Sequence, residues 1–226
     1  MKNFVKNMPL VMIAILSLAF SIAQNAAAKN SSSDSEQLIL HSLASQDGWV
    51  LESSENSNMG RTLNNDDRFL FLGDDKSKKQ YIDILSFKTS ELPDDATITN
   101  VVLKVKQYGI LGNSDPVSMF HGFFVEIVKG HFSTHATLQI SDFQTAAQAM
   151  DGPITPALIK KTYTLNLKNL ISFINKRTAE GGVTQIRLGF AIDDNNDDFT
   201  NAILLYSGDA TLAADRPQLI INYTEQ

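Results

Sequence analysis

Two groups of side chains in this sequence have the types and spacing to do chemistry. The first is the run Asp193-Asp194-Asn195-Asn196-Asp197-Asp198. Oxygen-only donors packed into one loop suit a hard cation such as Ca²⁺, and Asp193, Asn195 and Asp197 have the alternate spacing of a calcium loop. The run is no EF-hand, because Asp198 stands where that loop needs Gly and Leu204 where it needs a bidentate Glu. Asx residues also suit any solvated turn between strands. Two readings therefore stand: a structural Ca²⁺ site with Asp193, Asn195 and Asp197 as ligands, and a plain turn. The second group is Arg187, Tyr81 and Tyr206, all on strand-like segments. Arg187 and Tyr81 projecting to one face would make a fork for a carboxylate beside an aromatic platform, suited to an acidic sugar. The competing reading pairs Arg187 with a neighbouring carboxylate such as Glu126 and half-buries the tyrosines.

Other constellations carry less. Asn64-Asn65-Asp66-Asp67 with Asp74-Asp75 is a second Asx cluster, which a tight turn at Gly73 suffices to explain. His131 and His135 have the four-residue spacing of a zinc pair, but Gly130 and the intervening Ser-Thr favour a loop. No cysteine, no G-x-S-x-G elbow and no serine with a local base is present, so nucleophilic catalysis has no candidate. Glu52, Glu55, Asp83 and Glu126 could form an acid pair only by meeting in space. Asp83 and Glu126 read as outward-facing strand residues, and the sole tryptophan, Trp49, as a core anchor. An enzyme is not expected.

The elements that must position these groups are strands. In Gln80–Lys106 a strand ending in Ser86-Phe87 meets a Leu92-Pro93-Asp94-Asp95-Ala96 corner. The next strand alternates, with Val101, Leu103 and Val105 on one face and Val102, Lys104 and Lys106 on the other. Gly122–Val128 is apolar on both faces and reads as central. Eight to ten such segments predict an all-β fold, an antiparallel double-sheet β-sandwich of jelly-roll type. Two short helices are expected, over 141–150 and within 168–178.

Lys2, Lys6, the apolar run 9–23 and Ala26-Ala27-Ala28 have the layout of a cleaved secretory signal peptide over 1–28. A polar, disordered leader is expected over 29–37 and one β-sandwich domain over 38–226. The precursor has 19 basic and 25 acidic residues; losing Lys2 and Lys6 leaves 17 against 25, a net charge of −8. That balance argues against nucleic acid, which needs a clustered basic face.

Several segments carry a resemblance. Asp47-Gly48-Trp49-Val50, Ser57–Asn64, Leu72-Gly73-Asp74, Gln80–Phe87, Leu92–Leu103, Tyr206-Ser207-Gly208 and Arg216-Pro217-Gln218-Leu219 together resemble secreted DNRLRE-type β-sandwich modules. These are similar to family-96 carbohydrate-binding modules, including alginate-binding and disaggregatase-associated ones. The resemblance implies a jelly roll and binding of a polysaccharide or cell-surface glycan. The resulting expectation is a secreted, non-catalytic module, with no membrane attachment after signal cleavage. The alternative is a structural extracellular protein that self-associates through strand edges.

Overall fold

The computed structural model describes residues 35–178 and 181–225 of the chain. The signal-peptide reading of 1–28 lies outside them. Of the expected leader, Ser35–Gln37 are described, and they begin the first strand.

The all-β expectation is correct, with twelve strands among the described residues. They are β1 (Ser35–His41), β2 (Gly48–Glu52), β3 (Gly60–Asn64), β4 (Phe69–Asp74), β5 (Gln80–Phe87) and β6 (Thr97–Leu111). They continue as β7 (Phe123–Lys129), β8 (Ala149–Ile154), β9 (Thr162–Asn166), β10 (Thr184–Phe190), β11 (Asn201–Tyr206) and β12 (Gln218–Thr224). The order is β1-β12-β6-β11-β4-β5-β10-β7-β8, with β2 against β5 and β3, and β9 against β6. Every pairing is antiparallel.

The long β6 curls this sheet. Its first part lies between β12 and β9, and its last residues pair with β11. The alternation read from sequence is what makes this work. Val101, Leu103 and Val105 are fully buried, while Val102, Lys104 and Lys106 keep contact with solvent. The buried set joins Leu70, Leu72, Leu85, Phe87, Ile186, Leu188, Ile203 and Leu205 in one apolar cluster. Burying such a side chain contributes about 1.5–3 kcal/mol. The Pro93 corner does not make a hairpin, because β5 and β6 are not neighbours.

The first expected helix is corrected and the second is shortened. The segment from Ser141 forms only a short 3₁₀ turn, Ile140–Phe143, and Ala149–Ile154 is strand β8. The Asp142 carboxylate accepts from Gln139 N–H at 2.8 Å and closes that turn, and Gln148 N–H already donates to Ile127 C=O at 3.0 Å. The second helix is limited to a 3₁₀ segment, Lys168–Phe173. The one α-helical turn among the described residues, α1 (Pro116–Met119), is capped by Asp115 and was not anticipated.

The segment between β7 and β8 supplies a second, smaller core. Its Phe132, Leu138 and Phe143 cover Val50, Ile82, Ile84 and Val128, which point away from the main core.

Candidate functional site

The structure separates the expected site residues. Arg187 pairs with Ile84 across β5 and with Glu126 across β7. It therefore shares a face with Ile84 and Glu126, whereas Tyr81 on β5 has the opposite parity. The platform and fork expected from Arg187 and Tyr81 is not formed. Instead Arg187 Nε donates to Glu126 Oε2 at 2.5 Å, and Nη1 donates to the carbonyls of Asp142 at 2.6 Å and Thr145 at 2.9 Å. Its guanidinium also lies 4.5 Å from the centre of the Phe132 ring. Arg187 is only 7% exposed, and it clamps the covering segment onto the sheet. Gln185 assists, its Oε1 accepting from Phe132 N–H at 2.7 Å.

Tyr81 and Tyr206 make no ring contact with each other, but each joins a triplet of aromatic rings, and the two triplets form a strip linked through β4. Alternation on β4 sends Leu70 and Leu72 into the core and Phe69 and Phe71 to the other side. On β11, Leu205 is inward and Tyr206, opposite Phe69, is outward. Phe69 stacks on Tyr108 with ring centres 4.2 Å apart, and Tyr206 lies 5.7 Å from Phe69 and 5.6 Å from Tyr108. One step along β4, Phe71 lies 5.7 Å from both Tyr81 and Trp49, which are 5.3 Å from each other. All six rings keep solvent contact, and Tyr108 is 51% exposed. Trp49 is thus a half-buried member of the strip rather than a core anchor.

Polar groups flank the rings. Leu63–Arg68 line a shallow hollow of about 520 Å³ beside Phe69. Asp67 Oδ1 accepts Phe69 N–H at 3.2 Å, and Ser207 Oγ donates to Asp67 C=O at 2.7 Å, which fixes the loop. The Arg68 guanidinium sits 5.6 Å from the Phe69 ring centre. Gly73 seats the other end of β4: a Cβ there would come 2.1 Å from the Asn201 carbonyl oxygen. Burial, with a smaller contribution from Asp75, raises the Tyr81 hydroxyl above its ordinary pKa, so it stays a neutral donor.

Carboxyls lie behind the strip. Asp83, opposite Trp49 in the register, is completely buried rather than outward-facing. Its oxygens make no hydrogen bond of ordinary geometry, and the Trp49 indole N–H is likewise buried without a partner. Burial, with the nearby Asp47 charge adding, pushes the Asp83 carboxyl well above its usual range. Asp47 accepts from Ser86 N–H at 2.9 Å and Gly208 N–H at 3.2 Å, yet burial still raises it to about 7.

The acidic loop spends its oxygens on its own backbone. Asp193 Oδ1 accepts Asp194 N–H at 3.1 Å, and Asn195 Oδ1 accepts Asp197 N–H at 3.1 Å. Asp197 Oδ1 accepts Phe199 N–H at 2.8 Å. The Phe199 N–H holds the Asp197 carboxyl below its usual range. Asn195 and Asp197 meet through Nδ2–H···Oδ2 at 2.7 Å, an amide donor facing the carboxylate. Among the described residues no three His, Cys, Asp or Glu side chains converge as a metal would need. His131 and His135 are in a loop, and His135 Nδ1 lies 3.1 Å from Thr134 Oγ1.

No protein-family model matches the chain, and no curated protein matches it. The site is therefore read from its own residues. Sequence reasoning missed Phe69, Phe71 and Tyr108 as partners of the two tyrosines. Period-two spacing of Phe69 and Phe71 was the available signal.

Proposed function

We propose that the chain is a secreted, non-catalytic β-sandwich module that binds polysaccharide or cell-surface glycan along this aromatic strip. The observation that carries the reading is the strip itself: six partly exposed rings in two triplets linked through β4, with Arg68 and the Asn64–Asp67 loop alongside. A contiguous exposed apolar patch with a polar rim marks an interaction surface. Flat rings suit the C–H faces of pyranose units, and amide, carboxylate and guanidinium groups at the rim suit their hydroxyls. The resemblance to DNRLRE and family-96 modules supports the same class. Burying Arg187 leaves the neutral strip, rather than an arginine fork, as the recognition element.

The test is affinity electrophoresis of the protein in gels containing neutral and uronic-acid polysaccharides, compared with Tyr108→Ala and Tyr206→Ala. Each base or sugar ring stacked on an aromatic platform is worth roughly 1–3 kcal/mol by analogy with nucleobase stacking. Loss of Tyr108 or Tyr206 should therefore weaken retardation about tenfold or more, with an unchanged melting curve. Because Trp49 is the only tryptophan, its fluorescence should also shift on ligand addition. Retardation that survives both substitutions would remove the strip from the site.

A further inference from the structure

The outer face of β6 carries a second unassigned surface. The outward residues of β6 and its neighbours form a groove of about 350 Å³ lined by Lys104, Lys106, Lys160 and Arg216, with Thr162, Thr164, Gln218 and Ile159 among its other walls. Lys106 pairs with Asp215, and Arg216 Nε donates to Ala210 C=O at 2.9 Å. Lys104 and Lys160 have no partner among the described residues. In a chain of net charge −6 this concentration of cations is anomalous.

The backbone is strained where it builds the rim. Ile159 and Thr162 exchange both backbone hydrogen bonds, at 3.1 and 2.9 Å, around a two-residue turn. Its central residues are Lys160 at φ 50° and Lys161 at φ 63°. Such turns normally take Asn-Gly, because L side chains rarely adopt positive φ. Strain of this kind persists where the surrounding structure imposes it, often at functional sites. Here it sets two lysines at the tip, beside an Ile159 that is 66% exposed.

A matching surface is present at the β10–β11 connection. Phe199 is 72% exposed, the most exposed large apolar side chain among the described residues. Asp197 and Asp198 precede it and Asp193 lies in the same loop, with Lys78 the cation acting on Asp197. The Asp197 carboxylate holds the Phe199 N–H, so the ring is presented by an ordered turn. One surface is an apolar wall among cations, the other an apolar knob among carboxylates.

We infer that the Lys104–Lys160 groove of one copy receives the Asp193–Phe199 loop of a second copy. A single molecule cannot close this contact on itself. Lys106 and Leu111 stand about 17 Å apart along β6 at the rise of an extended strand, and Leu111 pairs with Ala202 near the loop. Two different patches make a heterologous contact, which propagates into open chains unless the rotation closes. The charges steer the encounter and make it sensitive to salt.

Sedimentation of the purified protein tests this. At ~50 mM salt the weight-average mass should climb with concentration, and at about 0.5 M salt it should return to that of a monomer. Phe199→Ala with Asp198→Lys, and separately Lys104→Glu with Lys160→Glu, should each give monomers with unchanged circular dichroism. An equimolar mixture of the two variants should stop at dimers, since each supplies the surface the other lacks. A wild-type monomer at every concentration would overturn the assignment, as would association that both variants retain or a mixture that stays monomeric. So would a wild-type monomer whose groove lysines respond instead to added dextran sulfate, since that would make the groove a polyanion site.

Discussion

The two halves of the curled sheet treat their outer faces in opposite ways. On β2, β5, β10 and β7 the outward side chains include Val50, Ile82, Ile84 and Val128, and the segment between β7 and β8 covers them with Phe132, Leu138 and Phe143. On β9, β6, β12 and β1 the register sets Thr164, Lys104, Gln218 and His41 in one row, with no comparable apolar cluster over them among the described residues. The difference is composition. Apolar residues on both faces of a strand need a second core, whereas lysines and threonines keep their heads hydrated. Part of the chain is thus committed to covering one face, which leaves the other face and the aromatic strip in contact with solvent.

The sharpest way to break the covered half is Arg187→Ala. It removes the partner of Glu126 and the donor to two carbonyls of the covering segment. Breaking a buried ion pair by deleting one member costs roughly 3–5 kcal/mol. The melting temperature should fall steeply, and amide exchange should speed up first in 131–148. A double-mutant cycle with Glu126→Ala should show coupling above about 1 kcal/mol. Additive losses would mean that Arg187 acts through packing on Phe132 instead. Ile84→Ala, under the same cover, should cost about 2–5 kcal/mol by transfer and cavity terms.

Acidity gives an effect of a few kcal/mol. Burial raises Asp47 from 3.8 to about 7 and Asp74 to about 6, and holds Asp83 well above the usual range. A carboxyl raised on folding binds its proton more tightly in the native state, so stability is greatest below the unfolded pKa and declines as pH rises through the folded one. Each pKa unit is worth about 1.4 kcal/mol. Melting temperature should therefore rise as pH is lowered from about 7 to about 4, the window between the unfolded and folded values of Asp47. Asp83→Asn removes a buried acid that accepts no regular hydrogen bond. It should stabilise the protein at pH 8 and flatten the profile. An unchanged pH slope in Asp83→Asn would assign the dependence to Asp47 and Asp74.

How much was legible follows from which signals are local. Alternation on β6 needs only neighbours in sequence, and its inward and outward residues fall where period two puts them. The same arithmetic condemns the outward reading of Asp83, which shares parity with the buried Leu85 and Phe87. The apolar stretch over 143–150 was legible as something to bury but not as a cover. A cover takes its shape from the sheet beneath it rather than from a helical period. The site was half-legible. Tyr81 and Tyr206 are members of the strip, but they are joined through Phe69 and Phe71 on β4. That junction depends on β4 lying between β5 and β11, and strand order is a long-range property. For Arg187 the sequence leaves two readings open, because the residue type that suits a carboxylate ligand equally suits a carboxylate neighbour, and the pairing with Glu126 one strand away is the one that forms.

The bare half should give the smallest response, and the same substitution makes the comparison direct. Ile39 on β1 pairs with Ile220, stands on the outward side and is 48% exposed. It belongs to an edge strand with one neighbour, so truncation opens no cavity and water already wets much of the side chain. Ile39→Ala should cost less than about 1 kcal/mol, most of it strand propensity. The check is a pair of urea titrations of Ile39→Ala and Ile84→Ala at one pH. A loss at Ile39 as large as that at Ile84 would show that something covers this face too. In that case the loss should depend on protein concentration, because the natural cover for an outward face of β1 and β12 is another chain.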